Sequence, residues 1–180
     1  GCDREKGADG QAAAPLAAPT AAFKIDRSHA GKPASSAPLT APDAAAGTRV
    51  PVRGPPPRRN RRCSAQPRPL LLNLWATWCG PCIKEMPSLD QLAAERAGKL
   101  TVLAVAQDLA GAEVVDPWFQ RAGLTQLQPF LDPANNLLAD YNSPLPVTIL
   151  FDAEGHEVWR VTGALDWQGE QARKLLGEVE

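Results

Sequence analysis

No stretch of 18 apolar residues occurs in this 180-residue chain, so no segment is long and apolar enough to cross a bilayer as a helix. Cysteine is scarce. The four residues, at positions 2, 63, 79 and 82, are too few to staple a disulfide scaffold of this length. An excess of one charge is missing as well: 19 basic side chains against 20 acidic ones leave −1, which excludes a polycation built to bind nucleic acid. What is present is an ordinary globular share of apolar residues, 44%, in a length that suits one domain plus an appendage.

The averages hide two unlike parts. Residues 1–68 hold 12 of the 19 basic residues, five acids, ten of the 18 prolines and one aromatic, Phe23. Residues 69–180 hold seven basic and 15 acidic residues and the other nine aromatics. The first part cannot bury enough apolar surface to offset chain entropy, and it is expected to be largely disordered. The expected organisation is a flexible tether over 1–35, an atypical Arg/Pro-rich segment over 36–68 and a folded domain over 69–180. Phe23-Lys24-Ile25 is an apolar island within the tether, a candidate edge element.

The start, Gly1-Cys2 followed by Asp3-Arg4-Glu5-Lys6, resembles a bacterial lipoprotein cut beside or within its lipobox, which makes Cys2 the candidate lipidation site. The alternative is an arbitrary start and an ordinary thiol at Cys2. An acyl anchor with a tether would hold the domain at a membrane surface.

The domain alternates. Leu70–Trp75 and Leu100–Ala106 are near-continuous apolar runs, the mark of strands buried on both faces. Ile83–Ala97 and Ala112–Ala122 carry apolar residues at helical spacing, stopped by Gly98 and Gly123. Leu127–Leu131 is a third candidate strand and Asn135–Tyr141 a short helix. Val147–Phe151 and Glu157–Val161 flank the turn residues Asp152-Ala153-Glu154-Gly155, and Gln168–Leu176 closes the chain as a helix. This β-α-β-α-β-α-β-β-α order predicts a mixed sheet with helices on both faces.

Cys79-Gly80-Pro81-Cys82 stands at the junction of the first strand and first helix. There the Cys79 sulfur meets unpaired backbone N–H groups and the positive end of the helix dipole, which favour thiolate and lower its pKa below the free value of ~8.5. Thiolate is the attacking species in disulfide exchange. Cys82, one turn on, can resolve the mixed disulfide, and Pro81 lacks only an N–H that would be orphaned anyway. Both sulfurs are expected side by side at a solvent-reachable mouth. Zinc binding is the alternative for Cys-x-x-Cys, but Cys2, Cys63, His29 and His156 form no second ligand pair, and His29 and His156 receive no role. A structural disulfide is a weak reading, because so short a loop constrains the unfolded chain little. Trp78 is either an exposed contact for partners or packing; Trp75 is core, and Pro87 removes one hydrogen bond inside the first helix.

The run "NLWATWCGPCIKEMPSL" resembles the active site of the thioredoxin superfamily, and most of all its membrane-anchored bacterial branch named after TlpA and ResA. The resemblance covers 69–180 and implies a thioredoxin-like fold with an inserted helix and strand, matched by "VVDPWFQRAGLTQLQPFLDP". Asn73 stands where thioredoxin itself has a buried Asp, and Glu85 matches an acid that tunes proton transfer in this branch. "YNSPLPVTILFDAEGHEV" resembles the loop whose cis-proline faces the cysteines, with Pro146 the candidate and Pro144 its competitor. A cis bond there would leave the Leu145 backbone to pair with an extended partner segment.

The resemblance implies a protein-disulfide reductase with catalytic Cys79, Cys82 and Glu85, and substrate contacts at Trp78, Gly80, Pro81, Leu145 and Pro146. No cofactor, metal or nucleic acid is called for. Expected partners are disulfide-containing clients such as apocytochrome c or copper-site proteins, a membrane electron donor that re-reduces the pair, and the membrane itself through Cys2, on the periplasmic side of a bacterial envelope. The rival is a non-catalytic client- or copper-binding module. Between "APLTAPD" and "RPLLLNLW" the family pattern is lost: Ala44–Pro67 matches nothing and has the Arg, Pro, Ala and Gly bias of a GC-rich gene read out of frame, the signature expected of a compensated frameshift.

Overall fold

The computed structural model describes residues 23–33 and 68–179. Cys2, Cys63, the Ala44–Pro67 segment and most of the expected tether lie outside the described residues.

The order of elements follows from the apolar pattern. Leu70–Trp75 (β2) is buried at all six positions, with Leu70, Leu72 and Leu74 packed on one face of the sheet and Leu71 and Trp75 on the other. It is covered on both faces, which is why the run shows no polar alternation except at Asn73. Thr101–Ala106 (β3) runs parallel to it, Leu70 opposite Thr101 through Trp75 opposite Ala106. Val147–Phe151 (β5) runs antiparallel on the other side, with Asn73 opposite Thr148. Phe130–Leu131 (β4) adds two residues beyond β3, and Glu157–Thr162 (β6) forms a hairpin with β5. The hairpin turn is held by Asp152, whose Oδ1 accepts from the Glu154 and His156 amides at 3.0 and 2.8 Å, while Gly155 takes φ +86°.

Within the stretch expected as tether, the candidate edge element at Phe23-Lys24-Ile25 joins the sheet. Lys24–Asp26 (β1) pairs antiparallel with β6, and the following turn lays Pro33 against His156. Phe23 and Ile25 pack on the core, so the apolar island does bury a side. Among the described residues the sheet therefore has six strands in the order β1-β6-β5-β2-β3-β4, mixed in direction.

Gly80–Glu95 (α1), Ala112–Ala122 (α2), Asn136–Tyr141 (α3) and Glu170–Leu176 (α4) cover the sheet. Met86, Leu89 and Leu92 of α1 join Trp159, Leu175 and Leu176 in one core layer; Tyr141 of α3 closes the layer opposite. Pro87 removes one rung, yet α1 runs unbroken to Glu95. Gly123 ends α2 in the left-handed region at φ +66°, which only glycine adopts without strain. The Arg160 guanidinium is buried and bidentate on Glu157, at 2.6 and 2.7 Å, and its third nitrogen donates to the Tyr141 carbonyl at 3.2 Å, tying α3 to β6.

Candidate functional site

The turn from β2 into α1 carries the sulfurs. Cys79 is the N-cap of α1, with extended backbone, and Pro81 occupies the first turn. The Cys79 amide donates to the Ala76 carbonyl at 3.1 Å. The Cys82 amide, an orphan donor of the first turn, donates to Cys79 Sγ at 3.3 Å. The two sulfurs are joined in a disulfide with the Cα atoms 5.3 Å apart.

The mouth is narrower than expected. Cys79 is only 6% exposed and Cys82 is fully buried. The physical reason is packing: both belong to the main core layer, against which Leu145 also packs. The surface around the disulfide is made by Gly80 and Pro81, which are exposed, and by Trp78, 69% exposed. Trp75 is buried against Trp118 and Phe119, with ring centroids 4.7 and 5.6 Å away.

The Leu145–Pro146 bond is cis. Val147 lies opposite Leu74, so Pro146 stands level with Trp75, at the sheet end from which the Cys79 turn departs. Pro144 has no such bond among the cis peptides.

Glu85 follows Cys82 by three residues and so shares its face of α1. It is 3% exposed. Burial pushes its carboxyl up from 4.5 to about 7. The Leu165 amide, at 3.1 Å from Oε2, and the Asn73 amide, at 2.8 Å from Oε1, pull it back only in part. The Trp167 indole N–H, which makes no hydrogen bond of good geometry, adds a weaker pull in the same direction. Asn73 also donates to Thr148 Oγ1 at 2.9 Å, its cross-strand neighbour, and its own Oδ1 finds no protein partner. This arrangement can hold or release a proton near neutral pH one helical turn from Cys82.

Sequence reasoning missed two residues here, Asp108 and Thr148. Asp108, buried at the end of β3, accepts from the Thr77 amide at 3.0 Å and from the Thr77 hydroxyl at 2.6 Å, pinning the middle of the turn that precedes Cys79. Thr148 bonds the Asn73–Glu85 pair. A buried acid right after an apolar strand was the available signal for Asp108. Cys2 lies outside the described residues. Among the described residues no group of three or more His, Cys, Asp or Glu is placed to hold a metal ion.

The comparisons agree with this geometry. The Redoxin family model matches residues 63–176. The thioredoxin-like protein YneN of Bacillus subtilis is 37% identical over 94 residues, 51% of this chain and 54% of that protein. The thiol-disulfide oxidoreductase ResA of Bacillus cereus is 30% identical over 95 residues, 52% of this chain and 54% of that protein. The chain thus spans a little over half the length of these curated relatives. The crystal structure of a putative thiol:disulfide interchange protein DsbE from Chlorobium tepidum superposes with a TM-score of 0.57 at 22% identity, covering 64% of this chain and 83% of that one, a likeness of fold. With its mixed sheet, its disulfide at the head of α1 and its matched core, the chain belongs to the Redoxin family, as a TlpA/ResA-like protein of the thioredoxin superfamily.

Proposed function

We propose that the chain is a protein-disulfide reductase of the extracytoplasmic bacterial envelope. The observation that carries this reading is the Cys79–Cys82 disulfide capping α1 with a buried carboxyl one turn away. In the reduced protein the Cys79 thiolate attacks one sulfur of a client disulfide. A Cys79–client bond forms and the client's other sulfur leaves as thiolate. Cys82 then loses its proton to Glu85 and attacks Cys79 Sγ. The Cys79–Cys82 bond forms, the second client sulfur leaves, and Glu85 returns the proton to the departing thiolate. The client gains two electrons and the protein loses two.

The Cys82 N–H that donates to Cys79 Sγ supports thiolate at Cys79, as the helix terminus does. A carboxyl near 7 is matched to the pH at which it must both accept and donate. Trp78, Gly80, Pro81, Leu145 and Pro146 rim the disulfide as client contacts. Clients of the apocytochrome c or copper-site class, a membrane dithiol donor that re-reduces the pair, and lipid anchoring at Cys2 on the periplasmic side complete the proposal, supported by the resemblance to the TlpA/ResA branch.

Reduction of insulin disulfides by the pre-reduced chain tests the reading. Cys79→Ser should abolish turnover, and Cys82→Ser should accumulate a client-linked species that reductant releases. Equal turnover by Cys79→Ser would reject catalysis in favour of a binding module.

A further inference from the structure

Large apolar side chains scattered singly over a surface need no explanation, whereas several gathered beside a reactive centre do. Among the described residues three are exposed: Trp78 at 69%, Leu109 at 78% and Val114 at 38%. They come from two segments that the chain separates by some thirty residues, and the fold joins those segments directly. Asp108 holds the Thr77 amide and hydroxyl, so the residues that follow each partner, Trp78 and Leu109, leave the same clamp. Val114 opens α2, its amide bonded to the Gly111 carbonyl at 3.3 Å just past Leu109. Trp78 is bonded in sequence to Cys79.

The charge around this rim has one sign. Gln107 to Pro117 carries no lysine or arginine; of its three acids Asp108 is buried on Thr77, Asp116 is half-buried and Glu113 faces solvent. Glu113 is exposed beside Val114. The nearest cation in sequence, Lys84, lies two residues past Cys82 and thus on the far side of α1 from it.

We propose that Trp78 and Leu109 form a two-sided apolar rim that docks an extended client segment bearing an apolar side chain next to its cysteine and a basic side chain nearby. The proposal rests on the reductase reading and specifies its substrate class. Leu109 is a specificity-determining residue: it touches the client's flanking side chain and not the reacting sulfurs. Its exposure means that truncation removes no core contact.

The test uses the pre-reduced full chain and three peptide disulfides, with Leu and Arg, Ser and Arg, or Leu and Glu flanking the cysteine, and glutathione disulfide as a substrate without flanks. Wild type should reduce the Leu/Arg peptide fastest. Leu109→Ser should lower the ratio of its rate to the glutathione disulfide rate about five-fold, the scale expected for one leucine contact, and Leu109→Met should restore it. An unchanged ratio in Leu109→Ser, or a wild-type rate indifferent to the peptide's Leu, overturns the rim while the reductase reading stands. A wild-type chain that reduces none of the disulfides overturns the reductase reading, and the rim with it.

Discussion

Glu85→Gln should stabilise the oxidised protein, and by more as pH rises. The carboxyl is 3% exposed and sits at about 7 instead of its ordinary 4.5. Between those two values the folded chain keeps a proton that the unfolded chain has released. Stability is therefore fully present below 4.5 and is lost as pH climbs through 7. At about 1.4 kcal/mol per pH unit the loss amounts to about 3 kcal/mol by pH 8. Glutamine abolishes this titration: its carbonyl can accept from the Leu165 amide, and its amide can donate to Asn73 Oδ1 once the Asn73 amide, which now donates to Glu85, turns over. The assay is denaturant unfolding of both oxidised proteins across the pH range. The stability difference, variant minus wild type, should start near zero at about pH 4 and grow to about 3 kcal/mol at about pH 8. Other titrating groups cancel in that difference. A difference that stays flat, or shrinks as pH rises, would refute the burial argument for Glu85. The same variant should slow release of the client from Cys79, because the proton acceptor beside Cys82 is gone.

Further outcomes can be checked with the same material. Arg160→Met leaves Glu157 buried without its bidentate partner and should cost about 3–5 kcal/mol in denaturant unfolding, with the wild-type value falsifying the pairing as a stabilising contact. Asp108→Ala orphans the Thr77 amide and frees the turn before Cys79; amide exchange at Thr77 and Cys79 should quicken, while Thr77→Ser, which keeps both donors, should leave it near wild type. Ile25→Asp should strip β1 from β6 and raise amide exchange along Glu157–Thr162 without slowing reduction of glutathione disulfide.

Much of the site was readable because its code is local. Cys79 and Cys82 are three residues apart, and their chemistry depends on a helix start that Pro81 and the preceding apolar run announce. Glu85 is one further turn on the same face. The remainder depends on partners that lie far apart in the chain. The Leu165 amide reaches Glu85 across 80 positions and Thr148 reaches Asn73 across 75, so no window of sequence holds both members. Asp108 lies two residues past an apolar run, and only the parallel pairing of β2 with β3 sets it beside Thr77. β1 showed in the sequence as an apolar island, but three residues are too short a pattern to name a partner, and its mate β6 is more than 130 positions away. The exposure of Leu109 follows from where Asp108 is held, a fact of packing that residue type alone does not carry.

The outermost position of β1 has a mechanical consequence. Any load drawn through the residues before Phe23 enters the sheet at its rim, on a ladder of three paired positions, whereas β2 is held by six on one side and five on the other. With so few paired positions that strand should give way at a lower load than the strand that leads to the sulfurs, which lies three places further in.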